Sequence, residues 1–184
     1  MTTAETIVEL NVLVKVCKDG ELGYRAAAAD VRNTELETVF AVYSKQRGQF
    51  ARKLQAEVTR LGGTSQVAGS MTATLLRGWM DVKSALTSGS GAAIIATCEN
   101  GEEVAVAAFD WVVNLDIKGP TKALVERQGK TIKEAHARLL RLKVEEAGEA
   151  KFQKNDKPVR VTRSASQEVK RNNGACRGRT AGNS

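Results

Sequence analysis

The motif Cys-x-x-Gly-Glu occurs twice in the sequence, as CKDGE at residues 17–21 and as CENGE at residues 98–102. The copies lie 81 residues apart, and the same offset relates four further pairs: Leu13 and Ile94, Val31 and Val112, Arg47 and Gln128, and Gly48 and Gly129. Internal similarity at a fixed offset indicates that one structural unit has been duplicated. Because the segments around both motifs have helical periodicity, we expect two copies of a helical hairpin.

Four long segments carry apolar residues at spacings of three and four, the pattern of amphipathic helices that pack on a core. Strand signals are scarce, so the predicted fold class is all-α. The predicted core stripes are Leu10, Leu13, Cys17, Tyr24 and Ala28 in the first segment, Leu36, Phe40, Tyr43, Arg47, Phe50, Leu54, Val58 and Leu61 in the second, Ile94, Cys98, Glu102, Ala105, Phe109 and Val112 in the third, and Leu124, Gln128, Ile132, Ala135, Leu139 and Leu142 in the fourth.

Helix start and stop signals separate these segments. The first helix is predicted at residues 4–31, and the second begins at Asn33 or Thr34, with Glu37 completing a capping-box pattern. GG at residues 62–63 ends the second helix, and GP at residues 119–120 marks the break before the fourth. A shorter helix over residues 71–86 is predicted to cross between the hairpins, with Trp79 packed on the bundle.

Polar residues interrupt the apolar stripe of each long helix at one level. Glu21 and Arg47 are equidistant from the first predicted turn, and Glu102 and Gln128 are equidistant from the last one. If the hairpins pack about a twofold axis, these four residues form one layer in the middle of the bundle. We call them the predicted polar layer, and we expect Arg47 to hold Glu21 while the layer fixes the register of the helices.

Two hairpins joined by a long crossover, with inward glutamates, are similar to the ferritin-like four-helix bundle. The segments KDGELGYRAAA (18–28), QRGQFARKLQAEVTRLGG (46–63), LLRGWMDVKSAL (75–86), CENGEE (98–103) and LVERQGKTIKEAHARL (124–139) resemble one bacterial ferritin-like family, domain of unknown function 2383. The resemblance covers roughly residues 4–146. It implies a fold, since no activity is established for that family.

A ferritin-like di-iron site uses a lone Glu on two helices and Glu-x-x-His on the other two. Glu21 and Glu102 match the lone glutamates, but the second helix has Arg47 and Phe50, and the fourth has Gln128 and Thr131. The sequence therefore favours a bundle with neither catalytic activity nor a cofactor. The alternative is a di-iron carboxylate protein that binds or oxidises iron through Glu21 and Glu102, with help from off-stripe carboxylates: Glu99, Glu103 and Glu126.

Neither the single histidine nor the cysteines complete a catalytic set. His136 lies eight residues beyond Gln128, about 12 Å along the helix, and no nucleophile accompanies it. It is interpreted as a half-buried structural histidine. Cys17 and Cys98 sit at equivalent stripe positions and are interpreted as reduced core residues rather than a redox pair, and Cys176 adds no metal-binding spacing.

The positive charge of the chain lies near one end. Residues 151–184 hold nine of the 28 Lys and Arg residues but only two acids, whereas residues 1–150 are balanced. We expect a bundle domain over residues 1–150 and a basic disordered tail over 151–184. The favoured interpretation is that this tail is a solvated segment without a binding role. The alternative is that it contacts nucleic acid or acidic lipid electrostatically.

The third helix differs from the others because its residues 103–113 are apolar nearly all round. Val104 and Trp111 fall on its outer face, which predicts a homo-oligomer contact, or alternatively a membrane-surface or partner-protein site. No segment reaches the length of a transmembrane helix, and residues 1–10 lack the pattern of a signal peptide. We expect a cytoplasmic protein.

Overall fold

The structure is a computed structural model that describes residues 1–65 and 91–155, with side chains described up to residue 148. It contains four α-helices: α1 (Thr3–Asp30), α2 (Thr34–Arg60), α3 (Gly91–Val113) and α4 (Gly119–Asn155). No strand occurs in these two ranges. The predicted crossover helix, the packing of Trp79, Cys176 and residues 156–184 of the basic tail lie outside the described residues. Residues 151–155, which were predicted to be disordered, belong to the C-terminal end of α4 instead.

The helix ends are formed by the residue types that the sequence places there. Asn33 is the N-cap of α2, and its side chain accepts hydrogen bonds from the backbone of Glu35 at 2.9 Å and of Leu36 at 3.3 Å. The predicted capping box at Thr34 is therefore wrong, because Thr34 is already inside the helix. Gly62 and Gly119 have φ of +82° and +67°, left-handed values that favour glycine, so both predicted helix boundaries are confirmed.

The helices form an antiparallel four-helix bundle. α1 packs on α2 and on α3, and α4 packs on α3 and more sparsely on α2, so α2 and α3 lie at opposite corners. One core cluster joins the C-terminal half of α1 to the N-terminal parts of α2 and α3 and the C-terminal half of α4. A second cluster joins the opposite ends of the same helices. The predicted all-α bundle is confirmed.

The predicted stripes are mostly buried. Phe40, Leu54, Phe109 and Leu139 are completely inaccessible to solvent, whereas Phe50 is only half-buried. No helix in the described part of the chain combines the length and the hydropathy needed to cross a bilayer. The two apolar clusters leave a level between them, and that level holds the buried side chains of Arg47, Glu102 and Gln128.

Candidate functional site

A buried ion pair crosses the centre of the bundle between α2 and α3. Nη2 of Arg47 donates to both carboxylate oxygens of Glu102, at 2.7 Å to Oε1 and 2.6 Å to Oε2, and Nε donates to Oε1 at 3.2 Å. The side chains are 1% and 3% exposed, so both charges are removed from water. An isolated buried charge is strongly destabilising, and each of these two groups is stabilised mainly by the other.

Aromatic side chains complete the surroundings of this ion pair. The hydroxyl of Tyr24 donates to Oε1 of Glu102 at 2.7 Å, which gives the carboxylate a second donor. The guanidinium carbon of Arg47 lies 5.9 Å from the ring centroid of Tyr24 and 5.7 Å from that of Phe50. Nη1 of Arg47 donates to the side-chain oxygen of Gln46. Burial, followed by the charge of Glu102, raises the pKa of Tyr24 well above its usual value, so this phenol keeps its proton.

Gln128 is buried at 3% exposure but is not bonded to the ion pair. Its amide nitrogen donates to the backbone oxygen of Phe50 at 3.4 Å, a long hydrogen bond. Its amide oxygen is buried, and no hydrogen-bond partner for it occurs within residues 1–65 and 91–155. Gln128 therefore links α4 to the backbone of α2 beside the ion pair.

Glu21 does not pair with Arg47, and this prediction is corrected by the structure. Its carboxylate contacts Lys18 at 3.1 Å and Arg25 at 3.2 Å, three and four residues away on the same helix, and its side chain is 16% exposed. Equal distance from the turn identifies residues on neighbouring helices, but the long side chain of Arg47 reaches across the diagonal instead. A single guanidinium then neutralises the more deeply buried carboxylate.

Two glycines permit the close approach of α1 and α2 at this level. A Cβ atom on Gly20 would lie 3.3 Å from Cγ of Arg47, and a Cβ on Gly48 would lie 2.7 Å from Oε1 of Glu21. The hydroxyl of Ser44 also donates to the backbone oxygen of Glu21 at 2.8 Å. A Cβ at Gly20 would therefore require Arg47 to shift by a few tenths of an ångström, and a Cβ at Gly48 would displace the flexible end of Glu21.

The family model described as Domain of unknown function (DUF2383) matches residues 5–115, which include Arg47, Glu102 and Tyr24. The chain belongs to the DUF2383 family. No curated protein matches it. The match ends before α4, so it covers less of the chain than the resemblance over residues 4–146 predicted. Gln128 and His136 of this DUF2383 protein lie outside the matched range.

The two described cysteines of the DUF2383 protein are free thiols in separate core clusters. Burial raises the pKa of Cys17 to about 12, although the charge of Arg47 acts in the opposite direction. Burial also raises the pKa of Cys98, and the neighbouring Glu102 adds to the effect. Both thiols are therefore protonated near neutral pH, which makes them poor nucleophiles.

Sequence reasoning missed a second polar group in this DUF2383 protein, between α3 and α4. Glu99, Glu103 and His136 each place one potential metal-ligating atom within 4.8 Å of the other two. Glu126, the third off-stripe carboxylate considered from the sequence, is exposed and does not belong to this group. The signal in the sequence was the spacing of four between Glu99 and Glu103, which puts both on one face of α3.

Proposed function

We propose that this protein is a non-catalytic helical bundle of the ferritin-like type, in which the buried side chains of Arg47, Glu102 and Gln128 stand in place of a di-iron site. The observation that carries the proposal is the contact of Arg47 with both oxygens of Glu102 at the centre of the bundle. In a ferritin-like protein this central region between facing helices would hold the metal ions. Here it holds a guanidinium that is fully enclosed by the core.

The donor set supports this proposal over the alternative of a di-iron protein. Glu102 already accepts hydrogen bonds from Arg47 and Tyr24, and Glu21 is paired with cations of its own helix. Residues 50 and 131 are Phe and Thr where the two histidine ligands would be required. Iron bound through Glu21 and Glu102 would have to break these pairs and lie beside a buried positive charge.

The role that fits this buried ion pair is to specify one alignment of the helices along the bundle. Apolar side chains tolerate small shifts along a bundle, whereas a buried charge leaves its partner unpaired when the register changes. Arg47 and Glu102 connect helices at opposite corners, and Tyr24 connects α1 to the same carboxylate. The pair therefore couples three of the four helices at one level.

Anaerobic titration with Fe²⁺, followed by metal analysis after gel filtration, tests this proposal. We expect no two-iron stoichiometry for the wild type, and we expect Glu102→Gln to change nothing in iron content. Two irons per chain in both the wild type and His136→Gln, lost in Glu102→Gln, would show a central di-iron site. The His136→Gln variant is the control for iron bound at the group of Glu99, Glu103 and His136, which would otherwise be counted as central iron.

We also propose that the protein self-associates through α3. Val104 and Trp111, seven residues apart on this helix, are both 63% exposed although they are large apolar side chains. A second copy of the chain is the proposed occupant of this face. In sedimentation velocity, Trp111→Lys should shift the protein toward monomer without loss of helical signal, and a wild type that is monomeric at tens of micromolar would refute the proposal.

For nucleic acid, we propose contact only through the basic segment 151–184, because the remaining residues carry balanced charge. Binding to DNA or RNA that persists after deletion of that segment would contradict this.

The proposed location is the cytoplasm, and the buried free thiols Cys17 and Cys98 support it, because cysteines of cytosolic proteins remain reduced. Export of the native chain in a fractionation experiment would refute the location.

A further inference from the structure

Three potential metal ligands meet at the groove between α3 and α4. Glu99 and Glu103 are one helical turn apart on α3, and His136 faces them from α4, with one ligating atom of each residue within 4.8 Å of the others. Glu99 is buried at 6% exposure, His136 is half-buried and Glu103 is exposed. The group therefore extends from the edge of the core to the solvent.

The imidazole of His136 carries one unsatisfied nitrogen. Nε2 is buried, and no hydrogen-bond partner for it occurs within the described residues. Leaving a buried polar atom unpaired costs about 1–3 kcal/mol, so such atoms in proteins usually have a partner. A cation that accepts the lone pair of this nitrogen, while two carboxylates neutralise its charge, would remove that cost.

We propose that Glu99, Glu103 and His136 form a binding site for one divalent transition-metal cation of the Zn²⁺ class. Imidazole and carboxylate together suit borderline cations such as Zn²⁺, which often has three protein ligands and one water. The exposed side chain of Glu103 leaves the solvent side open for that water. Magnesium binds poorly to a site of this kind, because it prefers oxygen ligands and octahedral geometry.

Only small side-chain movements are needed to form the site. Ligand atoms around a tetrahedral zinc ion are about 3.3 Å apart, since Zn–N and Zn–O bonds are about 2.0–2.2 Å long. The upper limit of 4.8 Å between the ligating atoms therefore exceeds the required separation by a distance that rotamer adjustment can close. Glu103 can adjust most easily because it faces solvent.

Lys143 is the competitor for this site. Its ammonium pairs with Oε2 of Glu99, and its side chain is 45% exposed. The half-exposed lysine can swing into solvent when a cation replaces its charge beside the buried carboxylate of Glu99. Removal of the ammonium should therefore strengthen metal binding, an effect that a purely structural role of Glu99 and His136 does not produce.

The site is separate from the central ion pair and appears in only one hairpin. The offset of 81 relates Glu99, Glu103 and His136 to Lys18, Leu22 and Gln55, which offer no comparable ligands. The inference goes beyond the proposed function, because it concerns a groove outside the layer of Arg47 and Glu102. Metal binding at His136 leaves that layer intact, so the two proposals can fail independently.

The test titrates the full chain with Zn²⁺ and records NMR signals of the imidazole, which are unambiguous because His136 is the only histidine. We expect one equivalent of Zn²⁺ at micromolar concentration to shift these signals. Isothermal titration calorimetry measures the affinity of each variant, including the one that lacks the imidazole. His136→Gln and Glu103→Gln should each weaken binding about 100-fold or more, because even outer-shell changes weaken metal sites 10–100-fold. Lys143→Met should strengthen it roughly fivefold.

Glu134→Gln is the matched control, because Glu134 is an exposed glutamate two residues before His136 on the same helix and outside the group. It should bind Zn²⁺ as the wild type does. Imidazole signals that stay unchanged at saturating Zn²⁺ would overturn the proposal, as would equal affinity of Glu103→Gln and the wild type. If His136→Gln does not fold, the exposed Glu103 position still decides the outcome.

Discussion

Arg47→Leu removes the cation from the central ion pair and leaves Glu102 buried with Tyr24 as its remaining donor. At a separation of about 4 Å, two unit charges attract by about 4 kcal/mol with an effective dielectric constant of about 20. The unpaired carboxylate also keeps its desolvation penalty, since Glu102 is only 2% exposed. We therefore expect the free energy of unfolding to fall by about 3–5 kcal/mol.

A double-mutant cycle isolates the pair from other effects of the substitution. Urea denaturation of the wild type, Arg47→Leu, Glu102→Leu and the double variant gives the coupling free energy, provided that the m-values agree. Each single change should be severe, and the double change should recover at least about 2 kcal/mol relative to the sum, because no buried charge remains unpaired. Additivity within about 0.5 kcal/mol would refute the reasoning.

Three further predictions concern the surroundings of the pair. Glu21→Gln should cost less than about 1 kcal/mol in urea denaturation, because its partners are on its own helix and such pairs are weak. Gly101→Ala should raise the melting temperature, since nothing lies within 4 Å of the added Cβ, whereas Gly20→Ala should raise it less or lower it because of the contact at 3.3 Å. The pKa of Cys17 rises from 9.0 to about 12 on folding. The contribution of the protonated thiol to stability is therefore complete below pH 9 and is lost as the pH rises from 9 toward 12. In this pH range the urea midpoint should fall less steeply with pH in Cys17→Ala than in the wild type.

Periodicity and cap chemistry were sufficient to predict the bundle. Each stripe repeats at helical spacing over several turns, and Gly62 and Gly119 occupy the left-handed positions that few other residues adopt. The start of α2 was predicted at either of two residues, because Asn33 and Thr34 are both good N-cap residues. Choosing between them requires the backbone geometry, which assigns the cap to Asn33.

The candidate site was predicted only in part, because side-chain reach is not visible in a sequence. Equal spacing from a turn places Glu21 opposite Arg47, but Lys18 and Arg25 can neutralise Glu21 within α1. Arg47 is long enough to cross to Glu102 on the diagonal helix. The meeting of Glu99 with His136 was missed for a similar reason, since both lie beside the stripes rather than on them.

The most direct test of the central ion pair is NMR of the side-chain Nε–H of Arg47, which donates to Glu102 at 3.2 Å. In protein treated with chelator, one arginine Nε–H signal should be protected from solvent exchange, absent in Arg47→Lys and exposed to exchange in Glu102→Gln. Addition of Fe²⁺ to His136→Gln, which lacks the proposed metal site between α3 and α4, should leave it unchanged. A signal that exchanges as fast as those of surface arginines, or that disappears when Fe²⁺ is added, would contradict the account.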